Sequence, residues 1–116
     1  MVTTLDRGQI WWGEIEDVGR RPFLIMTRSA AIPVLNSVLA APVTRTIRGI
    51  PTELRLGTDD GMPTDCVASF DNLRVVPKAY LVDQICALRP ARLAEACAAV
   101  QAAIDCQTKP ESNTLR

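Results

Sequence analysis

Gln9-Ile10-Trp11-Trp12-Gly13-Glu14-Ile15 decides the fold, because its aromatic and β-branched content suits a half-buried pleated surface. Working outward, Glu16 to Arg21 is charged and carries Gly19, so it reads as a loop. Pro22-Phe23-Leu24-Ile25-Met26-Thr27 is a short apolar run of the kind a buried strand shows. Ser29 to Asn36, with Pro33, reads as a single helical turn or a loop. Ser37 to Thr44 is a third strand, and Pro42 inside it implies an edge or bulge position. Thr52 to Leu56 alternates polar and apolar residues, as a half-exposed strand does. Gly57 to Pro63 is a turn cluster. Cys66 to Phe70 and Leu73 to Val76 are short strands on either side of Asp71-Asn72, and Tyr80 to Leu88 is a last extended piece.

One helix is predicted, from Pro90 to about Cys106, with proline at the first helical position, where its missing N–H costs nothing. Leu93, Cys97, Val100 and Ile104 form its apolar stripe, and Arg92, Glu95, Gln101 and Asp105 mark its polar side. The fold class is therefore mainly β with a C-terminal helix: a strongly bent sheet of six or seven strands closing toward a small barrel. Residues 1–106 form a single domain, and the polar residues 107–116 read as a frayed, disordered tail.

The 116 residues suffice for one domain, and 47% hydrophobic content suffices for its core. Thirteen Lys+Arg balance thirteen Asp+Glu, which disfavours a purely electrostatic nucleic-acid coat but leaves room for a local basic groove. The absence of His excludes Ser-His-Asp triads, imidazole general acid–base work and imidazole metal sites. Cys66, Cys86, Cys97 and Cys106 show no C-x-x-C spacing, so zinc-ribbon and thioredoxin readings fail. They read as buried thiols in a reducing cytosol, with no secretory leader and no membrane-spanning run.

Several stretches then fall into a known order. Arg7-Gly8-Gln9-Ile10-Trp11-Trp12, Arg21-Pro22 before an apolar run, Pro42-Val43-Thr44, Asp71-Asn72 before a strand, and Ile85-Cys86-Ala87-Leu88 before the helix together resemble the MazF/PemK (Kid) toxins of type II toxin–antitoxin systems. The resemblance implies an SH3-like or PemK-type barrel and a homodimer. It implies metal- and cofactor-free cleavage of single-stranded RNA at a short sequence, leaving a 2′,3′-cyclic phosphate and a 5′-hydroxyl. It also implies a cognate antitoxin whose disordered tail wraps the toxin. The PemK branch has a His and an Arg two positions before its catalytic Asp; here there is no His, and Ser69 stands at the Arg position. The MazF-style Arg/Thr pair is intact as Arg21 and Thr44.

By the resemblance, Arg21 and Thr44 are the catalytic pair. Arg21 reads either as a phosphate clamp, whose guanidinium fork stays charged, or as a surface arginine paired with Glu16 or Asp17. Thr44 is either a hydroxyl donor to phosphate or a β-branched residue suited to a strand. Asp71 is either catalytic support, accepting the 2′-OH proton, or a turn aspartate. Arg20, Arg45, Thr46 and Arg48 can line an RNA groove or form an ordinary solvated loop. Trp11 and Trp12 alternate faces, so one is expected buried and the other free to stack a base. A CcdB-like toxin that binds gyrase is the alternative; those end in a Trp-Gly-Ile type motif, whereas this sequence ends Asn113-Thr114-Leu115-Arg116. A plain RNA-binding module of SH3 type is the third reading.

Overall fold

The computed structural model describes residues 4–16 and 18–105. The tail 107–116, Cys106 and Asp17 lie outside the described residues, and so do the expectations placed on them. Seven antiparallel strands precede one helix: β1 Gln9–Ile15, β2 Gly19–Ile25, β3 Ser37–Thr44, β4 Glu53–Leu56, β5 Cys66–Ser69, β6 Arg74–Pro77, β7 Leu81–Ala87 and α1 Pro90–Ile104. The hydrogen-bonded order is β4-β5-β3-β2-β1-β7, with β6 paired to the first half of β3. This is the mainly β, bent-sheet fold with a C-terminal helix that the sequence implied.

The central strands are buried on both faces, which explains the unbroken run Phe23-Leu24-Ile25-Met26. Ile10, Leu24, Ala41 and Val43 face a core closed by α1, while Trp11, Phe23, Ile25, Val38 and Ala40 face a second core closed by Ile32 and Val76. Trp11 is accordingly buried and Trp12 half-exposed, the split that strand alternation requires. β7 skips a residue against β1 at two places, between Ile10 and Trp11 and between Trp12 and Gly13. Such bulges bend a sheet and re-aim the side chains beside them.

Three readings of the sequence change. β2 begins at Gly19 rather than Pro22, because Ile15↔Gly19, Glu14↔Arg20 and Gly13↔Arg21 extend the hairpin. Cross-strand pairing and opposite charge outweigh the loop-like composition there. Pro42 is not on an edge strand: β3 has neighbours on both sides. On one side, though, β6 pairing ends at Ala40 and β5 pairing begins at Val43, so Pro42 sits in the gap between two partners and leaves no ladder bond missing. In α1 the buried centre is Ala96 and Ala99, with Leu93, Cys97, Val100 and Ala103 around it, and Ile104 is 54% exposed. The small alanines let α1 approach β4 and the 3₁₀ turn Phe70–Asn72 closely, and Ile104 falls at the helix end beyond that contact.

Gly13 is a steric requirement. A Cβ built on it would lie 2.8 Å from Phe23 Cδ2 and 2.9 Å from Cε2, and Phe23 is fully buried. Gly13→Ala must displace that ring, at a cost of about 1–2 kcal/mol. Urea unfolding measures this as a lower midpoint with an unchanged slope.

Candidate active site

The β2–β3 ladder runs from Ile25↔Ala40 through Leu24↔Ala41 to Phe23↔Pro42 and stops. Its next pair would join Pro22 to Val43, and Pro22 has no N–H to extend it. The same register carried two residues beyond Phe23 and Pro42 sets Arg21 opposite Thr44. Where the ladder ends, a groove of about 430 Å³ opens, and both residues line it. The two sequence motifs Arg21-Pro22 and Pro42-Val43-Thr44 are thus one structural feature: a strand pair that parts at Pro22, with a cation on one lip and a hydroxyl on the other.

Arg21 is exposed, and among the described residues no hydrogen bond or ion pair engages its guanidinium. A guanidinium carries five N–H donors in a planar fork suited to an anion in the groove. Thr44 is half-buried, and its Oγ1 accepts from the Thr46 backbone N–H at 3.2 Å. With a lone pair occupied, the hydroxyl keeps its own proton to donate. The contribution of Thr46 is this backbone contact. Arg45 lines the groove directly. Arg48 lies outside the lining; its backbone N–H and that of Gly49 donate to Glu53 Oε1 at 3.0 and 3.1 Å. Glu53 thereby fixes the loop after Thr44, a role its place in an alternating strand did not disclose.

Arg20 lines the groove over Trp12, and Trp12 and Pro22 form the adjoining wall. Asp71 is elsewhere: it is exposed in the 3₁₀ turn Phe70–Asn72, outside the groove lining, and its Oδ2 accepts from Thr52 Oγ1 at 2.6 Å. Ser69, at the position of the PemK-branch arginine, is buried and accepts from Asn72 Nδ2 at 2.9 Å. The structure brings Arg20, Arg21, Thr44 and Arg45 together and leaves Asp71 apart.

The far wall of the groove comes from the turn cluster and the start of β5: Met62, Pro63, Thr64 and Cys66. Sequence reasoning missed this wall, since a turn's composition does not say what it packs beside. Cys66 is buried, and that burial raises its thiol pKa; Cys86, whose thiol lies 3.7 Å from Met62 Sδ, is pushed up to about 11 by burial. Both thiols stay protonated at neutral pH, which removes them as nucleophiles. Of the cysteines expected to be buried, Cys66 is, but Cys86 and Cys97 are only half-buried; Cys97, on α1 and outside the groove lining, accepts from Arg7 Nη2 at 3.1 Å. Among the described residues no group of three or more His, Cys, Asp and Glu is placed to hold a metal ion.

A model of the PemK-like, MazF-like toxins of type II toxin–antitoxin systems matches residues 6–104. The chain belongs to this family. It is 39% identical over 101 residues to the probable endoribonuclease MazF5 of Mycobacterium tuberculosis, spanning 86% of this chain and 93% of that protein. The solved Mycobacterium tuberculosis toxin MazF-mt6 superposes with a TM-score of 0.78 at 31% identity, covering 86% of this chain and 99% of the other. An endoribonuclease in complex with its cognate antitoxin from a mycobacterial species gives 0.81 at 27% identity, covering 91% and 100%. Arg21 and Thr44, the two residues that the motif resemblance singles out, both line the groove of this family member. Among the described residues no helix is long and apolar enough to cross a membrane.

Proposed function

We propose that this chain is a sequence-specific, metal-independent endoribonuclease toxin of the cytoplasm that cleaves single-stranded RNA and is neutralised by a cognate antitoxin. The observation that carries the reading is that Arg21 and Thr44 both line the groove that opens where the β2–β3 ladder ends. RNA supplies its own nucleophile, tethered beside the scissile phosphorus, so most of the entropy of attack is already met. The 2′-oxygen forms a bond to phosphorus while the bond from phosphorus to the 5′-oxygen breaks. The products are a 2′,3′-cyclic phosphate and a 5′-hydroxyl. Arg21 clamps the non-bridging oxygens as charge builds on them, and the Thr44 hydroxyl donates to the same group. Arg20 and Arg45 hold flanking phosphates, and Arg48 extends the basic lip. Asp71, engaged by Thr52, carries no step in this reading.

A shallow groove admits a splayed single strand and rejects a stacked duplex. Incubating purified protein with single-stranded RNA is expected to yield 5′-hydroxyl ends, equally with and without EDTA. Loss of cleavage on chelation, restored by Mg²⁺, refutes the metal-free mechanism.

The reading includes a symmetric homodimer, in which the same patch on two copies meets. Exposed Leu39 and Val75, opposed in the β3–β6 ladder, supply apolar surface for such a contact. Light scattering at micromolar concentration is expected to give twice the mass of the 12.7 kDa chain. An acidic antitoxin segment would compete with RNA for Arg21, Arg45 and Arg48. Charge reversal at Arg45 and Arg48 is expected to weaken both partners together, and unchanged antitoxin binding overturns the shared groove.

A further inference from the structure

The Arg20 guanidinium carbon lies 5.1 Å from the centroid of the Trp12 ring, over its face. Two carboxylates hold it there: Arg20 Nη2 donates to Asp83 Oδ2 at 3.0 Å, and Nη1 lies 3.9 Å from Glu14 Oε2. The strand register builds the arrangement. Trp12 on β1 pairs with Pro22 on β2 and with Asp83 on β7, and Glu14 pairs with Arg20. Arg20 therefore reaches from β2 across the indole to the far strand. The two bulges of β7 fall on either side of the Trp11–Trp12 stretch; Trp12 and Arg20 line the groove, and Asp83 reaches it through Arg20.

We propose that Trp12 is the nucleobase platform of the groove and that Arg20 is a clasp upon it, held shut by Asp83 and Glu14 until a single strand binds. The guanidinium then exchanges carboxylate for phosphate, and a base stacks on the indole face it uncovers. The inference rests on the reading of this groove as a site for single-stranded RNA. Magnitudes favour the exchange. The Arg20, Asp83 and Glu14 side chains are 47%, 67% and 58% exposed. Exposed ion pairs hold by a factor of about five or less, and an exposed cation–π contact adds a similar factor. Stacking one base on an aromatic ring is worth a factor of roughly five to a hundred, and the freed guanidinium gains a phosphate besides. Asp83 is then a positioning residue that weakens binding by occupying Arg20.

The test uses a mixed-sequence RNA oligonucleotide with 2′-O-methyl riboses, which cannot undergo 2′-OH attack, and an abasic oligonucleotide of the same length. Binding of the first is expected to change the Trp12 fluorescence, a change absent from Trp12→Leu, while buried Trp11 stays constant. Trp12→Leu weakens binding of the base-bearing strand by roughly tenfold and leaves the abasic strand unaffected. Asp83→Asn tightens both strands by about three- to fivefold, and the gain vanishes in the Arg20→Ala background. A gain that persists there is a general charge effect and overturns the clasp. Equal losses for the two strands in Trp12→Leu overturn the platform. Should Trp12→Leu fail to fold, Trp12→Phe and the exposed-site cycle of Arg20 and Asp83 carry the test. Cleavage of unmodified RNA without any Trp12 response sinks this inference alone; a Trp12 response without cleavage sinks the nuclease reading alone.

Discussion

Arg21→Ala is expected to lower RNA cleavage by about 10²–10³ while the protein keeps its fold, and Thr44→Ala is expected to do nearly as much. The size follows from what the groove supplies. The substrate brings the nucleophile, so the protein's share is orientation and stabilisation of charge on the phosphorane. Losing one donor aimed at developing charge costs about 3–4 kcal/mol in comparable oxyanion sites. The fold is spared because Arg21 is exposed and its guanidinium engages nothing among the described residues. Thr44 stands at the last position of β3, where alanine keeps the backbone pairing to Val67. Arg21→Lys discriminates further: it keeps the charge but loses the planar fork, so it should recover only part of the rate. Single-turnover cleavage, with near-ultraviolet circular dichroism as the check on folding, measures all three. Wild-type rates in folded Arg21→Ala or Thr44→Ala overturn the catalytic assignment.

How much of this was legible in the sequence differs from element to element. β1, β3 and α1 announced themselves, because aromatic content, apolar runs and a proline-led periodic stretch are local signals. The start of β2 did not. Gly19-Arg20-Arg21 looks like a loop and becomes strand only through its partner Ile15-Gly13 segment. The same tertiary dependence governs the site. Arg21 and Thr44 were legible through motif resemblance, yet what joins them, the register running through Phe23 and Pro42, lies in pairing between distant segments. Met62, Pro63, Thr64 and Cys66 were invisible as a groove wall for the same reason. Asp71 carried two readings at once; its hydrogen bond from Thr52 and its place outside the groove lining are facts of packing alone.

That far wall depends on an ion pair, and breaking it is the second large effect expected. Arg92, on what the sequence suggested was a plain polar face of α1, reaches into the turn after β4. Its Nε donates to Asp60 Oδ1 at 2.8 Å, its Nη2 to Asp60 Oδ2 at 3.3 Å and also to the Arg55 carbonyl, and its Nη1 to Glu95 Oε1 at 2.8 Å. The Asp60 side chain is only 7% exposed and that of Arg92 22%, so this pair is screened far less than the ones at the groove mouth. Asp60 Oδ2 also accepts from the Gly57 backbone N–H at 3.0 Å, which closes the turn. Gly61 follows at φ +98°, where a Cβ would meet Cys86 Cβ at 2.7 Å, so the turn has no slack against β7. Arg92→Ala leaves the Asp60 carboxylate desolvated and unpaired and is expected to cost about 3 kcal/mol. Because Met62, Pro63 and Thr64 follow directly, RNA affinity should fall with it although Arg92 does not line the groove. The arginine beside Asp60 holds its carboxyl below the usual carboxylate range. The native state therefore binds fewer protons than the unfolded chain below roughly pH 4, and stability rises with pH across that window. The contribution is complete above the unfolded value and is lost as pH falls through the lower native one. Asp60→Asn removes this titration, so its urea midpoint should be lower than wild type at neutral pH and the difference should shrink on acidification. A constant difference from pH 7 down to pH 3 would separate the turn's stability from the ion pair.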